Sequence, residues 1–179
     1  MSSLAVIAWI LGTFAIGGGL LAAGAPAMVR RGMETYPRSI WPGRILLAVD
    51  MVWAAYAVTQ IHLGGFNAWK VHLYWLAPVL IVVGCIYLDE MLSVRALGGL
   101  LLLAAGPVLN AARWNPSAWR LVITVLAYLW IGVGLFWLME PWWFRRMTLR
   151  MRSDAVIRGG GIIKALFGAA LIALALLVY

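Results

Sequence analysis

The sequence predicts an all-α, polytopic membrane protein: a bundle of six transmembrane helices forming one domain over residues 1–179. Three observations carry this expectation. Hydrophobic residues make up 65% of the chain and charged residues 11%, whereas a soluble domain is about half apolar and about a quarter charged. A water-soluble globule of 179 residues has too much surface for its volume to hide that many apolar side chains. The apolar residues also come in long continuous runs, and a helix that crosses lipid needs roughly 20 of them.

Six runs follow one another. They cover 4–29 (ended by Arg30-Arg31), 44–63 (ended by Gly64-Gly65), 71–88 (ended by Asp89-Glu90), 96–112 (between Arg95 and Arg113), 118–139 (ended by Glu140-Pro141) and 160–179. Lipid offers no partner to backbone N–H and C=O groups, so a spanning segment must be a helix or part of a closed barrel. Barrel strands would be about ten residues long and would alternate in polarity; these runs do neither. The run 96–112 is short and contains Gly106-Pro107, so a re-entrant fourth segment in a five-span chain is the competing expectation. Ala25-Pro26-Ala27 resembles a signal-peptide cleavage site. No Lys or Arg precedes its apolar run, however, and the run is long for a signal peptide; a retained first helix is expected.

Charge sets the expected orientation. The loops around 30–44, 95 and 140–164 share one side in a six-span chain and carry eleven of the fourteen basic residues. The opposite side carries Lys70, Arg113 and Arg120. Basic residues stay on the cytoplasmic side, so both termini are expected outside. The net charge of +8 would suggest nucleic acid in a soluble protein. Here it lies in short loops between apolar runs, which suits anionic headgroups, and the lipid bilayer is the expected partner with no nucleic acid. Twelve Arg against two Lys is a codon-usage hint of a GC-rich genome, and a bacterial inner membrane is the expected location.

Tryptophan follows the same layout. Trp41, Trp142 and Trp143 fall at expected inner boundaries, and Trp69, Trp75, Trp114 and Trp119 at outer ones, where an amphipathic ring suits headgroup depth. Trp53 and Trp130 lie deeper, as packing residues. Glycine clusters at Gly17-Gly18-Gly19, Gly98-Gly99, Gly132-x-Gly134 and Gly159-Gly160-Gly161, and Ala165, Ala169 and Ala173 form a small-residue stripe. Small residues let membrane helices approach closely, so these positions are expected at helix contacts. Segments one and four both contain Gly and Pro, and Leu20–Pro26 resembles Leu102–Pro107. Paired helix breaks of this kind point to transporters built as inverted repeats, and the chain is compatible with a 3+3 repeat.

Few residues carry chemistry. No catalytic set, phosphate loop or complete metal site is present, and Cys85 lies alone in an apolar run. His62 and His72 flank the turn between segments two and three and are the candidate cofactor ligands, for a haem or a metal. Asp89-Glu90 is expected to pair with the basic loops. Asp50, Lys164 and Asn110 are the candidate intramembrane polar residues. An ionisable group inside the membrane faces the bundle interior and has a partner; Lys164 or Arg44 is the expected partner of Asp50. Three functions follow. The first is a structural or accessory subunit of a larger membrane complex, or a homo-oligomer. The second is a small-solute or ion transporter or channel. The third is a haem- or metal-binding membrane subunit.

Overall fold

Lipid-like composition becomes helix over most of the described residues. The computed structural model describes residues 2–62, 64–87, 91–151 and 153–179, without the side chains of 65 and 66. Its α-helices are α1 (Ser3–Gly24), α2 (Pro26–Thr35), α3 (Ile40–Gln60), α4 (Leu73–Tyr87), α5 (Leu92–Arg113), α6 (Arg120–Met139), α7 (Trp142–Arg150) and α8 (Asp154–Leu177). Short 3-10 helices, Tyr36–Arg38 and Gly64–His72, precede α3 and α4.

Five stretches are long and apolar enough to cross a membrane: Ser3–Gly24, Asn67–Tyr87, Leu92–Arg113, Arg120–Met139 and Asp154–Leu177. The chain is therefore read as a multi-pass membrane protein. Helix α3 is 21 residues long but carries Arg44 and Asp50, and it falls outside that set.

Proline acts differently in the two places where the sequence suggests a break. The run 4–29 does break: α1 stops at Gly24 and Pro26 opens α2, a position where its missing N–H is no loss. At Gly106-Pro107 α5 runs on unbroken. The fourth segment is therefore one continuous helix, long and apolar enough to cross, and the paired breaks reduce to one.

The helices pack through backbone contact. Helices α1 and α8 run antiparallel, with Gly12 against Gly168 and Gly19 against Gly161. A Cβ on Gly19 would stand 2.6 Å from the Gly161 carbonyl oxygen. Helices α5 and α6 meet the same way at Gly98 and Gly134. Leu4, Ala8, Leu171 and Ala175 join Ala105, Val108, Ile123 and Ala127 in one buried cluster. Leu4 and Ala175 thus lie in the same layer, and the two chain ends share one end of the bundle. Of the expected alanine stripe, Ala165 meets Gly19, whereas Ala169 and Ala173 are exposed. Helix α3 packs on α5 and α4, in parallel register with α5, since Gly43 meets Ser93 and Asp50 meets Gly99. A 3+3 repeat would match the α1–α8 pair with an α5–α4 pair, and no contact of comparable extent joins α4 and α5 among the described residues.

The expected loop 140–164 contains helix α7 and the first turns of α8. Helix α7 carries Arg145, Arg146 and Arg150, and buries Phe144 against Trp137 and Tyr36. Arg30 of α2 reaches Asp154 of α8 at 2.7 Å. The three basic loops of the sequence thereby meet at one end of the bundle.

Candidate functional site

The candidate site begins with one carboxyl group. Asp50 lies ten residues into α3, roughly 15 Å along the helix axis. It faces α5 and is 3% exposed. Neither carboxyl oxygen has a hydrogen-bond partner. Room for the group comes from Gly99: a Cβ there would stand 2.9 Å from Oδ2 of Asp50. A larger residue on α5 at that height would force the carboxyl group to shift.

Beside the carboxyl group lies a cavity of about 380 Å³. Its lining is apolar, from Leu47, Met51, Leu103, Leu138 and their neighbours, except for Asp50 and Arg95. Arg95 Nη1 donates to the Leu138 carbonyl at 3.3 Å, and its buried Nε has no partner. Toward the basic end, Ser93 donates its hydroxyl to the Ser39 carbonyl at 2.6 Å, and the Tyr36 hydroxyl donates to the Ser93 carbonyl at 3.0 Å. Burial, and after it the nearby Asp50, push the Tyr36 phenol above its usual value. Polar groups therefore run from the basic end of the bundle toward Asp50.

The expected partners of Asp50 stand elsewhere. Lys164 lies against α1, its ammonium 3.0 Å from where a Gly18 Cβ would be, and makes no ion pair with Asp50. Arg44 is engaged in a contact of its own. Asn110 is exposed near the end of α5 and accepts from Trp114 Nε1 at 3.3 Å. His62 and His72 are both exposed at the end remote from the basic loops, His72 edge-on to Trp69. Among the described residues no three His, Cys, Asp or Glu side chains gather to hold a metal. Asp89 and Glu90 lie outside the described residues.

No protein-family model, curated protein or solved structure matches the chain. The site therefore stands on its own geometry. Arg95 and Gly99 are the residues that sequence reading did not attach to Asp50. The signal was present in Gly99, a glycine in a helix interior where alanine is the better helix former.

Proposed function

We propose that this chain is a small six-crossing carrier of a bacterial inner membrane, with both termini outside, in which Asp50 takes up and releases a proton as a small solute passes. The observation that carries this reading is the unpartnered, buried carboxyl group of Asp50 on an apolar cavity. An unpaired charge at that depth is costly, so the group must carry a proton or be accompanied by a cation. A metal ion would need several further oxygen ligands, and the lining supplies none. Arg95, the cation on the same cavity, donates to the Leu138 carbonyl and makes no ion pair with Asp50 among the described residues, so exchange of a proton is the chemistry this reading favours. Six crossings are supported by the antiparallel α1 and α8: chain ends at one end of the bundle require an even number of passes, and α3 supplies the sixth.

The test uses the full chain reconstituted in vesicles. Infrared spectra across a pH series should show a carboxylic-acid band that is absent from Asp50→Asn. Small solutes should drive proton movement in the wild type and not in the variant, with the melting temperature unchanged. A wild-type spectrum without that band overturns the reading. Gly99→Ala gives a second check, because it crowds the carboxyl group while leaving its chemistry intact.

A subunit role is a second reading, favoured by α4. Only Gly84 is buried along its 15 residues, and Tyr74, Trp75 and Tyr87 are 73%, 79% and 80% exposed. A neighbouring chain would find its docking face there. Purification in gentle detergent, with a partner or a second copy retained at constant stoichiometry, supports this role.

A further inference from the structure

At the basic end of the bundle a second cavity, of about 330 Å³, opens between elements far apart in sequence. Glu34 of α2, Pro37 and Arg38 of the 3-10 helix, Met91 before α5, and Arg145, Thr148 and Leu149 of α7 line it. Glu34 has a contact of its own. Neither the Arg38 nor the Arg145 guanidinium makes a hydrogen bond or ion pair among the described residues. Two like charges thus converge on one cavity with their donors unused. A guanidinium is the side chain best shaped for two-pronged recognition of a phosphate oxygen pair.

We propose that this cavity binds a phosphate-bearing anion, held between Arg38 and Arg145. The pocket's setting favours a lipid headgroup as the source. Helix α7 is amphipathic, with Trp142 and Trp143 beside the cationic run and Arg146 over both indole rings at 5.8 and 5.3 Å. A short basic helix with tryptophans suits headgroup depth. Leu149, Pro37 and Met91 would then meet the glycerol and upper acyl chain, while the phosphate sits between the arginines. Thr148 shapes the wall; its hydroxyl donates to the Arg145 carbonyl at 2.8 Å.

The experiment measures binding to the intact protein in nanodiscs and in detergent. Thermal protection and lipid retained in native mass spectrometry are read with phosphatidylcholine alone, with phosphatidylglycerol added, and with inorganic phosphate. Arg38→Gln and Arg145→Gln are compared with Arg113→Gln at the opposite end of the bundle. The expected result is saturable protection by phosphatidylglycerol, weakened about tenfold by either pocket variant and unchanged by Arg113→Gln. Arg145→Lys, which keeps the charge and loses the fork, should fall between. Protection by inorganic phosphate at the same two residues supports the site with a soluble anion as its source. Equal binding of phosphatidylglycerol and phosphatidylcholine without a response to phosphate, or equal weakening by Arg113→Gln, overturns the proposal.

Discussion

Gly12 and Gly168 lie backbone to backbone. A methyl group on Gly12 would meet the Gly168 carbonyl oxygen at 2.8 Å, and one on Gly168 would meet that of Gly12 at 2.7 Å. Lipid supplies no hydrophobic drive between helices, so dispersion and weak Cα–H···O contacts at such close approaches hold them together. Gly168→Ala should therefore destabilise the bundle by about 1–3 kcal/mol, the usual range for overpacking. Ala169→Leu should leave intrachain stability unchanged, because Ala169 is exposed. Denaturation in mild detergent checks both, and equal losses would move the interface to the alanine face.

Gly17 and Gly160 give the converse prediction. Each is a neighbour of a contact glycine, yet a Cβ on either meets nothing within 4 Å. Alanine there should be neutral or stabilising, by up to about 1 kcal/mol, since it removes the backbone entropy cost of glycine in a helix. A loss of stability in either variant would place a partner helix on that face.

These glycines also mark where sequence reading stopped. The clusters Gly17–Gly19 and Gly159–Gly161 draw attention as runs, but only Gly19 and Gly161 meet backbone to backbone; Gly18 faces the Lys164 side chain, and Gly17, Gly159 and Gly160 face open space. The second pair, Gly12 and Gly168, lies seven residues away along the same two helices, two helical turns, and that spacing is visible in the sequence. Five of the six apolar runs are legible as candidate spans, because lipid demands a fixed length of apolar helix. Helix ends are less legible: Arg44 and Arg158 stand at the boundary or in the loop of the apolar runs, but α3 starts at Ile40 and α8 at Asp154. Arginine near a helix end reaches back to the headgroups along its alkyl stem, so charge does not mark the end of a helix. Helix α7 was missed because a basic amphipathic turn scores as a loop when only apolar length is counted. The surroundings of Asp50 depend on which face of α5 meets α3, and no local pattern in α3 encodes that.

The Arg30–Asp154 pair ties α2 to the start of α8 at 2.7 Å, with side chains 36% and 49% exposed. Water and salt screen a pair so placed, and it should contribute no more than about 1 kcal/mol. Asp154 also sits in the first turn of α8, where a negative charge favours the helix by a few tenths of a kcal/mol or more, at about 0.3–1. Asp154→Asn should lower the melting temperature slightly at low ionic strength. The difference should shrink as salt is added. A large effect that persists in concentrated salt would mean the pair is shielded from solvent.

The number of crossings rests on α3, which is lower in hydropathy than the five candidate stretches. If α3 stayed on one surface, five passes would put the termini on opposite sides of the membrane. The antiparallel contact of α1 with α8, with Leu4 and Ala175 in one buried layer, favours a shared side instead. Arg44 stands one turn inside the basic end of α3 and is engaged in a contact of its own. Asp50 faces α5, buried away from lipid, which removes most of the objection to a charged residue in a crossing helix. We therefore expect α3 to cross. In a Cys85→Ser background, His62→Cys should react with an impermeant maleimide added outside intact cells, and Arg31→Cys should react only after the membrane is opened. A reporter fused after Tyr179 should be active in the periplasm. Labelling of positions 31 and 62 from the same side would remove α3 from the membrane, and with it the six-pass arrangement that puts Asp50 within the bilayer.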